Sequence, residues 1–167
     1  MNRIWILLSV FLCLGCSVFG SPNVPEKPAS INWIEDPNEA LKVAKKENKL
    51  VAVFVYADWC PACTYMDQAT FVDPHVVELI NERFIASRID DDKWDLAAIK
   101  LSKQRAIPVL AVVRPVGGRI ARARIGLLDP ARYVIFLEGV LEMYEIENGM
   151  FEKFRLFKEE HERKDTD

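Results

Sequence analysis

Residues 50–63 read LVAVFVYADWCPAC, and this stretch decides the fold. Its first seven residues form a continuous apolar run rich in valine, which predicts a β-strand buried on both faces. Cys60 and Cys63 follow directly, and Pro61 between them suits the first turn of a helix. The stretch therefore predicts a strand that leads into a helix extending to about Thr70, with a Cys-x-x-Cys pair at the junction.

This junction favours redox chemistry at the pair. The Cys60 sulfur would lie by the unpaired N–H groups and the positive dipole end of the helix, which favour the nucleophilic thiolate. Cys63 lies one turn further on the same side, within disulfide reach, and its place inside the helix suits a resolving thiol. A purely structural disulfide is a weaker interpretation, because so small a loop constrains the unfolded chain little. Zinc is weaker too, since about four ligands are needed and only His75 and His161 would join the pair.

The overall composition is that of one globular domain. The chain has 167 residues, of which 50% are hydrophobic and 28% charged, enough for a single substantial core. The net charge of −3 is too small to predict nucleic-acid binding. Arg114, Arg119, Arg122 and Arg124 form a local exception on two predicted strands. A solvated sheet face that discourages edge pairing explains them better than an anion site does.

The first twenty residues differ from the rest of the chain. Arg3 gives a positive start, residues 4–19 are almost wholly apolar, and Val18 and Gly20 sit like the small residues of a cleavage site. The apolar run is short for a membrane span, which takes about 20 residues. We therefore predict a signal peptide over residues 1–20, cleaved after Gly20, and an exported protein, periplasmic or secreted. An uncleaved anchor is the alternative.

A second cysteine pair inside this leader leaves lipidation open. Cys16 follows Gly15, as in bacterial lipoproteins, although Cys13 stands where those proteins usually carry leucine. Only lipidation at Cys16 would give the domain a membrane partner. Cleavage after Gly20 instead leaves a mature chain with two thiols, which an oxidising compartment would pair.

Helices and strands alternate along the remaining sequence. Residues 21–30, with three prolines, are predicted to be a linker. The predicted elements are a helix from Asp36-Pro37 to Asn48, a strand over Leu50–Tyr56, a helix over Pro61–Thr70, a helix from Asp73-Pro74, a strand over Phe84–Ile89, a helix over residues 93–103, a hairpin of Val109–Arg114 with Arg119–Ile125, and a long helix from Asp129-Pro130 to Asn148-Gly149. This order predicts an α/β fold whose sheet is mostly parallel, with an antiparallel edge.

The domain is predicted to occupy residues 31–147, followed by an amphipathic helix and charged tail over residues 148–167. Met150, Phe151 and Phe154 carry the apolar face of this extension. A helix that packs on the domain and frays at its end explains the pattern better than a partner-binding role.

The motifs YADWCPAC at residues 56–63 and TFVDPHV at residues 70–76 resemble the thioredoxin superfamily, and most of all the C-terminal thioredoxin-like domains of bacterial DsbD thiol:disulfide interchange proteins. The likeness runs over residues 31–141 and includes Ile107-Pro108, which resembles the cis-proline loop opposite the family's active site. It implies a thioredoxin fold and thiol–disulfide exchange with client proteins and with a thiol carrier of electrons. It also implies that Ile107 is a docking edge for client peptides, and that no prosthetic group is needed.

The resemblance also assigns auxiliary roles and shows one departure. Trp59 would shield one side of the site, as in the family. Relatives often carry a buried acid six residues before the first active-site cysteine, where this chain has Phe54. Asp67, four residues after Cys63, is our candidate replacement in proton transfer, with an ordinary solvated residue as the alternative.

Two other functions remain open from the sequence. The pair would also suit a copper(I) chaperone, for which Met66 is the candidate third soft ligand. A redox-inactive module that docks clients at the Pro108 groove is the other alternative.

Overall fold

The computed structural model describes residues 30–94 and 106–164. Its elements are β1 (Trp33–Ile34), α1 (Pro37–Glu47), β2 (Leu50–Tyr56), α2 (Pro61–Tyr65) continued by a π-helical turn (Met66–Thr70), α3 (Pro74–Arg83), β3 (Phe84–Asp90), β4 (Val109–Val113), β5 (Ile120–Ile125) and α4 (Pro130–Lys164). The α/β alternation predicted from the sequence is confirmed. The two-residue strand β1 is too short to leave an alternating pattern, and the sequence did not reveal it.

The five strands form one sheet in the order β1-β3-β2-β4-β5. β3 pairs in parallel with β1 and with β2, whereas β4 is antiparallel to both β2 and β5. Of the five described strands, four run in one direction and β4 runs against them, so the predicted mixed, mostly parallel sheet with an antiparallel edge is confirmed. β3 ends at Asp90, opposite Tyr56, and β4 begins beside Val55 at the same edge, so β4 must run back across the sheet.

The core has two layers because β2 is buried on both faces, as predicted. Leu50, Ala52 and Phe54 face the layer formed with α3 and α4, whose centre includes Leu137. The alternate valines of β2 pack against α1 on the other face. This period of two fixes which side chains of the neighbouring strands lie near the cysteines.

Three Asp-Pro pairs start helices, as their sequence predicts. Asp36 accepts a hydrogen bond from the Asn38 N–H at 2.8 Å, and Asp73 accepts one from the His75 N–H at 3.0 Å. Asp129 caps α4 by accepting from Arg132 N–H at 2.8 Å. In each case the carboxylate satisfies an N–H group that the helix itself leaves unpaired.

The predicted helix end at Asn148-Gly149 is wrong, because α4 continues through it as one helix to Lys164. A single glycine costs a helix only about 1 kcal/mol, and no proline follows to stop it. Beyond it Arg155 pairs with Glu152 and Glu159 on the same helix, which supports the extension.

The part of α4 beyond residue 148 was expected to pack on the domain, but its apolar side chains are exposed. Met150, Phe151 and Phe154 are each at least 60% exposed.

Lys93 and Trp94 lie in a turn and a bend, and the rest of the helix predicted over residues 93–103 falls outside the described residues. Within the described ranges, no helix has the length and apolar character needed to cross a membrane.

Candidate redox site

Strand register brings the candidate residues to one edge of the sheet. Cys60 follows the carboxyl end of β2, and Pro108 directly precedes Val109, which pairs with Val55 near that end. Tyr56 pairs with Asp90 at the end of β3, so the turn after β3 lies at the same edge. Segments far apart in sequence thus meet around the cysteines.

Cys60 and Cys63 form a disulfide, with their Cα atoms 5.3 Å apart. Cys60 is the N-cap of α2 in an extended conformation, and its sulfur accepts a hydrogen bond from the Cys63 N–H at 3.2 Å. Pro61 occupies the first turn and is exposed, as its missing N–H allows. Cys60 is 4% exposed and Cys63 is 1% exposed. A thiolate at Cys60 would receive the same N–H more strongly, because a charged acceptor strengthens a hydrogen bond.

Trp59 forms an exposed wall beside the disulfide. The side chain is 65% exposed, and its indole N–H donates to the Asp92 carboxylate at 3.0 Å. This bond fixes an otherwise solvated ring to the turn after β3. The Trp59 side chain is therefore an exposed ring next to Cys60 that a hydrogen bond to Asp92 orients, and it is not part of the core.

The predicted cis-proline is present, since the Ile107–Pro108 peptide bond is cis. Pro108 is buried, and its carbonyl accepts a hydrogen bond from the Gly126 N–H at 2.9 Å. Ile107 is half-buried and contacts both layers of the core. The segment before β4 thus has a fixed backbone and a partly accessible residue at the redox edge.

Asp67 lies at the start of the π-helical turn and is held by Arg88. The two guanidinium nitrogens of Arg88 donate to both carboxylate oxygens of Asp67, at 2.7 and 2.8 Å. The Arg88 guanidinium also lies over the Tyr56 ring, 3.9 Å from its centroid. Burial lowers the pKa of Arg88, but the hydrogen bond and charge of Asp67 outweigh it and raise that pKa above its ordinary value. Asp67 is a paired residue and not the freely solvated one that the sequence left as an alternative.

Phe54 occupies the place of the acid that relatives carry, and the pair lies close to it. Phe54 is fully buried, pairs in register with Arg88, and has the guanidinium 5.5 Å from its ring centroid. The carboxylate bound to Arg88 therefore lies on the cysteine helix and not on β2. Met66, the candidate third ligand for copper(I), is fully buried in the same core layer.

The turn after β3 carries an ion pair of its own. Lys93 donates to Asp90 at 2.9 Å, and this bond holds the pKa of Asp90 below its ordinary value. Asp90 is only 8% exposed, and it also accepts from the Asp92 N–H at 3.1 Å. Asp90 therefore joins the Lys93 side chain and the Asp92 backbone within this turn.

Sequence reasoning missed Arg88 and Asp92 as members of the site. Arg88 is the one charged residue of the predicted strand Phe84–Ile89, and a cation there needs a partner, which is a usable signal. Asp92 is the last of three consecutive aspartates, and nothing local distinguishes it from its two acidic neighbours. Its contact with Trp59 spans 33 residues.

Comparison with known proteins agrees with this geometry. The thioredoxin-like family model matches residues 32–115. The thiol:disulfide interchange protein DsbD of Salmonella typhi is 30% identical over 123 residues, covering 69% of this chain and 21% of DsbD. The chain therefore spans about a fifth of the length of the curated relatives it matches.

Two solved structures are similar over most of the domain. The oxidised C-terminal domain of Neisseria meningitidis DsbD superposes with a TM-score of 0.53 at 26% identity, covering 64% of this chain and 97% of that domain. A thioredoxin from Thermus thermophilus gives a TM-score of 0.59 at 23% identity, covering 67% and 88%, which shows the shared fold.

A disulfide-bonded Cys-x-x-Cys pair at a strand–helix junction, on this fold, defines a thiol–disulfide oxidoreductase. The chain belongs to the thioredoxin-like family.

Proposed function

We propose that this protein exchanges disulfides with client proteins in the cell envelope, with Cys60 as the attacking thiol. In the reducing direction the Cys60 thiolate attacks a client disulfide, forms a mixed disulfide and releases one client thiolate. Cys63 then loses its proton and attacks the Cys60 sulfur, which releases the second client thiolate and forms the Cys60–Cys63 disulfide. The client disulfide gains two electrons and the pair loses two, and the reverse sequence oxidises a client dithiol.

The N-cap position of Cys60 is the observation that carries this proposal. Its sulfur already accepts the Cys63 N–H, so the helix start is oriented to stabilise a thiolate there. Cys63, inside the helix and almost fully buried, suits attack on a neighbouring sulfur rather than on a free client. No prosthetic group takes part in these steps.

Asp67 is our candidate acceptor for the Cys63 proton. It lies one turn beyond Cys63 along the same helical segment, and Arg88 fixes its orientation. Ile107 is our candidate docking edge for the client backbone, by strand addition beside Pro108. Trp59 would cover the opposite side of the mixed disulfide.

The proposed location of the reaction follows from the predicted export of the protein. The predicted signal peptide with cleavage after Gly20 supports a periplasmic or secreted protein, and a thiol carrier would then supply or remove electrons. The DsbD relatives, named for thiol:disulfide interchange, support such a partner. The intact mass of the exported protein should match a chain that begins at Ser21. A diacylglyceryl mass on Cys16 would show a membrane-tethered lipoprotein instead.

Two cysteine variants test the assignment of roles. With dithiothreitol as electron source the mature protein should reduce insulin, and Cys60→Ser should abolish turnover. Cys63→Ser is the matched control: attack still occurs but release does not, so mixed disulfides with clients should accumulate. Retained turnover in Cys60→Ser would remove Cys60 from the nucleophilic role. Absence of trapped clients, with Cys60 still reactive to alkylation, would contradict the resolving role of Cys63.

A further inference from the structure

An arginine-lined groove lies between β5 and α4, outside the redox site. It has a volume of about 520 Å³, and its lining includes Arg122 and Arg124 from β5 and Arg132 from α4. Ile125, Ile135 and Phe136 supply apolar walls. Arg122 and Arg124 are exposed, as a solvated sheet face predicts, and they form a concave surface with the apolar side chains of α4.

Among the residues that the structure describes, most of the positive charge of this groove has no carboxylate partner. Arg132 pairs with Asp129 at 3.4 Å, whereas neither Arg122 nor Arg124 forms an ion pair in the described part of the chain. Arg122 is oriented by a contact of its Nη1 with the Met143 sulfur at 3.5 Å, not by a carboxylate. Two cations side by side on one strand repel each other, and a ligand with matching negative charges would relieve that repulsion.

The groove continues the redox edge. Ile125, at its end, pairs with Val109, the residue after Pro108, and Gly126 donates to the Pro108 carbonyl at 2.9 Å. Leu128 also lines the groove, and its carbonyl accepts the Thr70 hydroxyl at 2.8 Å. A polypeptide that docks beside Pro108 therefore has a direct path along β5.

We propose that this groove binds an extended, acidic segment of the partner protein whose disulfide is exchanged. The inference rests on the proposed function, and it names the chemistry of the partner. Among the described strands β5 is the last of the sheet, so an added chain can run along its outer edge. Arg122 and Arg124 both line the groove and are two residues apart, a spacing of about 7 Å that matches alternate side chains of an extended peptide. Carboxylates at those positions reach the guanidinium groups, and the methylene groups that carry them contact the apolar walls.

A short peptide tests the groove directly. The probe is a fluorescein-labelled peptide of about eight residues that alternates glutamate with valine, matched in length to β5. We expect anisotropy titrations to show binding that weakens several-fold between about 0.02 M and about 0.5 M salt, because the charge pairs are exposed. The same peptide with lysine in place of glutamate should not bind.

Charge reversal locates the binding. The double variant Arg122→Glu with Arg124→Glu should weaken peptide affinity at least about tenfold, since attraction becomes repulsion at both positions. Arg119→Glu is the matched control, because this exposed residue before β5 does not line the groove. It should change affinity less than about twofold. The milder pair Arg122→Gln with Arg124→Gln repeats the test if circular dichroism shows that charge reversal unfolds the protein.

Several results would overturn the proposal. They are equal affinity in the double variant, equal affinity for the lysine peptide, or binding of inorganic phosphate in the groove without binding of the peptide. The proposed function is judged separately, by reduction of uncharged hydroxyethyl disulfide. Arginine variants should retain that activity, and Cys60→Ser should lose it while still binding the acidic peptide.

Discussion

The Arg88–Asp67 pair supports a prediction in which stability and chemistry are measured on the same variants. Arg88→Met keeps an unbranched side chain of about the length of the arginine stem but removes both hydrogen bonds to Asp67 and the contact of the cation with Tyr56. Asp67→Asn keeps the shape and removes the charge. The two variants and their combination form a double-mutant cycle.

The magnitude follows from the burial of the pair. The side chains of Arg88 and Asp67 are 23% and 31% exposed, between a surface pair and a fully buried one. Exposed pairs contribute about 0.2–1 kcal/mol, and a cation over an aromatic ring adds about 0.5–2 kcal/mol. We therefore expect Arg88→Met to lower the free energy of unfolding by about 2 kcal/mol, with about 1 kcal/mol of coupling between the two sites.

Urea unfolding of the oxidised proteins measures these values. Glu145→Gln is the control, because its pair with Arg83 is about half exposed at both ends and should contribute less than about 1 kcal/mol. Coupling below about 0.3 kcal/mol between Arg88 and Asp67 would refute the reasoning, since the pair would then behave as a surface contact.

Single-turnover kinetics separate the chemical role of Asp67 from the structural one. If the carboxylate accepts the Cys63 proton, Asp67→Asn slows resolution of the mixed disulfide by about 10²–10⁴-fold and leaves the attack by Cys60 almost unchanged. A slowing of less than about twofold across neutral pH would show that Asp67 only anchors the helix to β3. Water or Cys60 would then accept the proton.

Three further predictions concern the edge around the cysteines. Asp92→Ala should release the Trp59 indole, seen as lower fluorescence anisotropy of that residue, and an unchanged signal would show that the hydrogen bond does not hold the ring. Gly126→Ala should lower the free energy of unfolding in urea by about 1–2 kcal/mol, because its φ of +96° is unfavourable for a residue with a Cβ. The cost comes from the backbone alone, since no described atom lies within 4 Å of the added Cβ. An unchanged free energy of unfolding would mean that the turn relaxes. The Lys93 bond lowers the pKa of Asp90 in the folded state, so its stabilisation is present above about pH 4 and is lost as pH falls through the folded pKa. Asp90→Asn should therefore be less stable than wild type at pH 7, and a gap that persisted unchanged in strong acid would contradict this sign.

Much of the redox edge was predictable because its determinants are local. The valine run of β2, the cysteine spacing and the Asp-Pro pairs each fix a short element through nearest-neighbour physics. The cis-proline was expected from resemblance, not from local signals. Together they located the cysteine pair and the cis-proline at the junctions where the structure has them.

The rest depended on contacts that sequence patterns do not encode. The direction of β4 follows from where β3 ends, and the partner of Asp67 is 21 residues away on another element. Helix α4 continues through Gly149 because no stop signal follows, and a single weak helix former is not enough to end a helix. The sequence does not show that the arginines of β5 line a groove, because the other wall of that groove comes from α4.

The meeting of distant segments at one sheet edge has a consequence for folding. The bond from Trp59 to Asp92 closes a separation of 33 residues, and that from Thr70 to Leu128 closes 58. Contacts with such separations form after the local helices, because the loops between them must close first. During synthesis the cysteines therefore leave the ribosome well before the segments that surround them. Until β4 pairs with β2 and β5 pairs with β4, the two thiols have the reactivity of an open chain, and the selectivity of the mature site does not yet exist.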